Sequence, residues 1–119
     1  MDKNSVLAVL KQVYDPDYPD KTVIDLGIVT EDDITISNNG VAVVYGLTAP
    51  MCPFSSAIGL MIKYALETKL AVPVAVSLKA SHHQNMAVND FLSNPEKSTE
   101  LMRMLKETGI LEKCVRLQS

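Results

Sequence analysis

The chain has 119 residues, 47% of them hydrophobic and 21% charged, with a formal net charge of −3. That suffices for one domain with its own core, while the absence of Trp and of basic runs argues against a nucleic-acid surface. No apolar run reaches the roughly 18 residues of a bilayer span, and Met1-Asp2-Lys3-Asn4 lacks the basic-then-apolar order of a secretory signal, so a cytoplasmic protein with no membrane partner is expected.

Apolar residues at Val6, Leu7, Val9, Leu10 and Val13 predict a helix over residues 5–14, capped by Asn4 or Ser5. The proline-punctuated run Asp15-Pro16-Asp17-Tyr18-Pro19-Asp20 ends it. In the apolar stretch 23–29, Gly27 marks a bend or bulge, and Asp25 is placed to bond nearby backbone amides. Ile34-Thr35-Ile36-Ser37 alternates as a strand, Asn38-Asn39-Gly40 is a turn, and residues 41–47 return as the partner. On that return strand Val41, Val43, Tyr45 and Leu47 share the face expected to line the core, and Ala42, Val44, Gly46 and Thr48 share the other. Val44 and Ala42 suggest some cover on that second face, from C-terminal helices or a second subunit.

Residues 54–70 carry a helical stripe of Ala57, Ile58, Met61, Ile62, Ala65, Leu66 and Leu70. A third strand follows over 73–79, with Val74, Val76 and Leu78 facing inward. After the polar break Ser81-His82-His83-Gln84-Asn85, a short helix is expected over 86–92. A second should start at Asn94-Pro95, carry Leu101, Met104, Leu105 and Thr108 as its stripe, and stop at Gly109. Cys114 lies in a short tail and is expected to be packed. The order predicts one α+β domain over residues 1–119, a small two-layer sandwich with a three-stranded mixed sheet and helices mainly on one face.

Chemistry concentrates in Thr48-Ala49-Pro50-Met51-Cys52-Pro53-Phe54, between the second strand and the long helix. Unpaired amides and the macrodipole at a helix start favour a thiolate, so Cys52 is a candidate nucleophile or soft metal ligand. Pro53 suits the first helical position. Free cysteine is also among the most buried residue types, and a packed, inert Cys52 is the competing reading. Two distant cysteines form no disulfide framework and no Cys-x-x-Cys pair. A metal or cluster on Cys52 therefore needs ligands from elsewhere, with His82 and His83 as the other candidates; on an extended strand that adjacent pair would face opposite sides. No glycine-rich phosphate loop, nucleophile elbow or paired carboxylates appear.

Asp15-Pro16-Asp17, then Ile24-Asp25-Leu26-Gly27-Ile28-Val29, then Thr48 with Cys52-Pro53 resemble, in order over about the first 80 residues, the metal–sulfur cluster assembly family. That family was formerly a domain of unknown function and includes SufT-like and PaaD-like proteins and cytosolic iron–sulfur targeting factors. The resemblance implies an α+β fold and a role in maturing iron–sulfur proteins. Cys52 falls at the family's reactive cysteine, and Asp25 and Thr48 at its motif positions. Many members end in a tail with a tryptophan and a Ser…Arg…Leu pattern; here a longer helical segment, about 81–119, stands in its place.

The expected function is a non-enzymatic accessory factor for cluster assembly or transfer. Cys52 would be a transient ligand of iron or an iron–sulfur cluster, with Thr48, Pro53 and Asp25 shaping the site. Expected partners are assembly machinery or client apoproteins. A homodimer is also expected, because one cysteine per chain cannot complete a cluster and a two-fold axis would pair two. The alternative is a PaaD-like interaction subunit of an oxygenase or other assembly; a thiol enzyme would need a base that the sequence does not clearly supply.

Overall fold

The structure, a computed structural model, describes residues 3–15, 18, 20–46, 55–79 and 85–116. The first helix, α1 (Lys3–Leu10), is shorter than its apolar spacing predicts. Val13 and Tyr14 leave it to form bridges with Val115 and Thr22. The Tyr14 amide donates to the Cys114 carbonyl at 2.7 Å, a partner from the far end of the chain that no local pattern signals. Val13, β-branched, suits that extended conformation.

Residues 22–29 form a tight turn, with the bend expected at Gly27. Thr22 and Asp25 bond reciprocally: the Thr22 amide donates to Asp25 Oδ2 at 3.1 Å and the Asp25 amide to Thr22 Oγ1 at 3.0 Å. Gly27 has φ +71°, the left-handed conformation expected of its bend. The turn buries Ile28 and Val29, whose amides both donate to the Val23 carbonyl.

A 3-10 turn at Glu31–Asp33 leads into β1 (Ile34–Ser37), which pairs antiparallel with β2 (Gly40–Tyr45). Helix α2 (Ser55–Leu70) crosses to β3 (Val74–Leu78), which lies parallel to β2 with Tyr45 opposite Leu78. The sheet order is β1-β2-β3, the three-stranded mixed sheet that the pattern predicts. Ile34, Val41, Val43, Tyr45, Val74 and Leu78 are buried against the helical layer, as period-2 alternation requires. The stripe of α2 meets them, with Ile58, Met61, Ile62, Ala65 and Leu66 almost inaccessible. Gly59 sits where a Cβ would lie 2.7 Å from the Tyr45 hydroxyl oxygen, so its missing side chain lets α2 rest on that ring.

Of the two sources of cover expected for the opposite sheet face, C-terminal helices or a second subunit, the described helices do not supply it. Thr35, Ala42 and Ala75 are exposed, so among the described residues no helix of this chain covers it. The C-terminal helices pack on the α2 side instead: α3 (Asn85–Ser93), α4 (Pro95–Glu107) and the short α5 (Ile110–Cys114). Asn94 caps α4 as predicted, its side chain accepting from the Lys97 amide at 3.1 Å with Pro95 in the first turn. Leu105 is buried, but Met104 is 51% exposed and Thr108 is also exposed, because only one edge of the α4 stripe reaches the core. Gly109, with φ +80°, turns the chain into α5, which puts Leu111 and Cys114 in the core rather than in a loose tail. Among the described residues no helix is long and apolar enough to cross a membrane.

Candidate functional site

Parallel pairing of β2 and β3 makes both strands end at the same edge of the sheet. Tyr45 lies opposite Leu78, and the Lys79 amide donates to the Tyr45 carbonyl at 2.9 Å. Residues 47–54 leave this edge after Gly46, and residues 80–84 leave it after Lys79. The carboxyl ends of parallel strands are where α/β sheets commonly take their ligands. Here the edge gathers the starts of both segments that the sequence singles out.

Thr48, Cys52 and Pro53 lie in the first segment and His82 and His83 in the second, all outside the described residues. Their anchors are described. The first segment begins at the end of the central strand and runs into the first turn of the sixteen-residue α2. Asp25, the remaining site candidate, is exposed and spends its carboxylate on the Thr22 amide. It reaches the site only indirectly: its turn ends at Ile28, whose carbonyl accepts from the Gly46 amide at 2.8 Å.

Three further residues meet at this edge, and sequence reasoning missed two of them, Asp33 and Lys79. Asp33 precedes β1, Gly46 follows β2 and Lys79 follows β3, and the alternation of each strand places all three on the open face. Lys79 Nζ lies 3.3 Å from Asp33 Oδ2. The same carboxylate oxygen accepts from the Thr30 amide at 2.9 Å and from Thr30 Oγ1 at 3.1 Å. Burial alone would raise the Asp33 pKa, but the Thr30 hydrogen bonds and the Lys79 ammonium outweigh it and hold the carboxyl below its ordinary range. Between the partners the Lys79 stem passes over Gly46: a Cβ there would lie 3.3 Å from Lys79 Cδ and 3.7 Å from Nζ. The one sequence signal was a glycine at the end of an otherwise β-forming run.

Cys114 is not part of this edge. It is buried beside the N-terminal segment, and desolvation pushes its thiol up, with Lys113 and Arg116 opposing and Asp15 adding to the rise. That environment favours the inert thiol, as expected for a packed cysteine. Among the described residues no three His, Cys, Asp or Glu side chains converge as a metal site. A groove of about 490 Å³ between α2 and α4 is lined by Lys63, Tyr64, Glu67, Met102, Arg103 and Lys106, with Glu107 at its side, so that basic side chains slightly outnumber acidic ones. It opens along α2 from Leu60 to Glu67, beginning about 7.5 Å along the helix from Ser55.

The sequence profile of the family described as "Iron-sulfur cluster assembly protein" matches residues 3–78. The chain is 27% identical over 119 residues to the "MIP18 family protein galla-2" of Drosophila melanogaster, covering 96% of this chain and 76% of that protein. It is 26% identical over 127 residues to "Cytosolic iron-sulfur assembly component 2B" of Mus musculus, covering 100% and 76%. Among solved structures it resembles a domain of unknown function, DUF59, from Bacillus anthracis, with a TM-score of 0.59, 21% identity, and coverage of 84% of this chain and 91% of that one. At that identity the likeness speaks for the fold, and it agrees with the α+β architecture. The match over residues 3–78 takes in every element from α1 to β3, including both anchors of the cysteine segment, and the chain belongs to the iron–sulfur cluster assembly protein family.

Proposed function

We propose that the chain is a non-enzymatic accessory factor that passes iron or an iron–sulfur cluster toward client proteins, with Cys52 as a transient ligand of that cargo. The observation that carries this reading is the anchoring of residues 47–54 between the end of the central strand and the start of a long helix. Cys52 stands three positions before a helix of sixteen residues, whose first amides are unpaired and whose start is the positive end of its dipole. Cluster iron is bound by thiolate. The step is ligand exchange: Cys52 loses its proton to solvent, a sulfur–iron bond forms, the previous ligand leaves, and no electron is transferred.

One cysteine supplies one ligand. The others come from the donor or client protein, or from Cys52 of a second copy in a homodimer. His82 and His83 come three and four residues after Lys79, which follows the neighbouring strand, and are the further candidates in the chain. Thr48, Pro53 and, through Ile28, Asp25 shape the edge. The name of the mouse relative, a cytosolic assembly component, supports a cytosolic setting and partners within the assembly machinery.

The test is anaerobic reconstitution with ferrous iron and sulfide, comparing visible absorbance and bound iron in the unmodified chain and in Cys52→Ala. Loss of the cluster in a variant that keeps its fold is the expected result. Equal loading would move the ligand role off Cys52 and leave a PaaD-like interaction subunit as the better reading.

A further inference from the structure

We infer that the outer face of α4 is an interface with a second copy of this chain, the two α4 helices packing antiparallel across a two-fold axis level with Met102. The inference is independent of Cys52 and of any cargo.

The fold leaves this face over. α4 docks on the rest of the chain through Leu105, which is almost inaccessible, while Met104 beside it is half-exposed. Consecutive residues lie about 100° apart round a helix, so Met104 projects away from that contact. It lines a groove of about 440 Å³ together with Phe91 of α3 and Leu101 of α4, both only partly buried. Lys97, Glu100, Arg103 and Glu107 form the rest of its wall. An apolar strip with charges at three- and four-residue spacing is the surface on which one helix receives another.

The order of the charges names the occupant. Along α4 they run Lys97, Glu100, Arg103, Glu107, alternating in sign. Turned end for end about Met102, Lys97 falls level with Glu107 of the second copy, and Glu100 falls one residue from Arg103 of that copy. Leu101 likewise falls one residue from Met104 of the second copy. One residue is a rise of about 1.5 Å, well within side-chain reach. Every charge therefore meets its opposite in an antiparallel pair, whereas a parallel pair would set like against like.

The sides of the helix agree with this. Glu100, Arg103 and Glu107 lie to one side of Met104, and Leu101 and Thr108 to the other. A two-fold axis brings each side against its own copy, so charged meets charged and apolar meets apolar. Arg103 is already paired with Glu107 at 3.1 Å and with Glu100 at 4.0 Å, but Lys97 has no ion-pair partner among the described residues. The second copy supplies one. With thirteen residues α4 is about 20 Å long, which puts the interface at the small end of specific contacts. The dimer is accordingly weak, dependent on concentration and sensitive to salt.

The experiment is sedimentation equilibrium of the full metal-free chain in reducing buffer, up to millimolar concentration. A monomer–dimer equilibrium that weakens with added salt is expected. Met104→Glu should abolish it and leave the urea midpoint unchanged. Lys97→Glu and Glu107→Lys should each weaken association about tenfold, the scale of two exposed ion pairs turned into repulsions. The chain carrying both substitutions should recover it. A chain that stays monomeric at every concentration overturns the inference and leaves the groove to a helix of another protein. So does a dimer that survives Met104→Glu, a double variant no better than the single ones, or association that disappears in Cys52→Ala. Because the readout needs neither metal nor Cys52, failure of cluster loading bears on the ligand proposal alone.

Discussion

The two ends of the sheet are each closed over a glycine, and they are closed in different ways. At the hairpin end, Gly40 has φ +144° and a Cβ there would run into the Pro73 backbone carbonyl, which also accepts from the Val41 amide at 3.0 Å. At the carboxyl end, Gly46 has an ordinary φ and lies under the stem of Lys79, a side chain with four rotatable bonds. One end is sealed by backbone that cannot move without moving a strand. The other is held by an ion pair that can adjust. The rigid end carries a turn, and at the adjustable end the chain passes on to residues 47–54.

Substitution at the two glycines tests that contrast most directly. Gly40→Ala combines a left-handed conformation with a backbone clash and should cost about 3 kcal/mol, read as a lower urea midpoint at unchanged slope. Asn89→Ala comes next. The Asn89 amide accepts from the Leu78 amide at 2.8 Å and donates to the Leu78 carbonyl at 3.4 Å, occupying the free edge of β3 as a neighbouring strand would. Losing both bonds should cost about 1–2 kcal/mol in the same assay. Gly46→Ala should cost less than about 1 kcal/mol, because the lysine stem can yield by a few tenths of an ångström. A Gly46→Ala cost as large as that of Gly40→Ala would show the carboxyl end to be as rigid as the hairpin end.

Acid gives the smallest effect. The folded Asp33 value lies below its ordinary 3.8, so the carboxylate's contribution is complete above about pH 3.8 and is lost as pH falls through the folded value. Between pH 5 and 8 this group should contribute no pH dependence. Below pH 4 the unmodified chain should lose slightly more stability than Lys79→Met, measured by urea unfolding at stepped pH.

Legibility followed the range of the interaction. The alternation of Ile34, Val41, Val43 and Tyr45 and the stripe of α2 are short-period patterns, and each appears in the fold as read. Asp25 and Gly27 were also readable, because a three-residue hydrogen-bond loop and a positive φ are local matters. Val13 and Tyr14 were misread as helix, since their partners sit at Val115 and Thr22. Cover for Ala42 was expected from the C-terminal helices or a second subunit, and the described helices leave it exposed, because periodicity assigns a residue to a face without saying what lies opposite. Asp33 and Lys79 carried no mark of one another: a lone acid and a lone base far apart in the chain become partners only once β2 stands between their strands. The sequence reading of Thr48, Cys52, Pro53, His82 and His83 concerns positions outside the described residues, and only their anchors are seen.

The seam between the two ends of the fold has a consequence for how the molecule is made. Val13 bridges Val115, and Arg116 donates to the Gln12 carbonyl at 2.9 Å, closing a loop of roughly 100 residues. Loop-closure entropy for that length is about 4 kcal/mol, and such non-local pairing is slow to form. A ribosome supplies α1 well before Leu111, Cys114 and Val115, so the flank of the core beside Val13 stays open to solvent until those residues emerge. That flank closes only when α5 is free to dock.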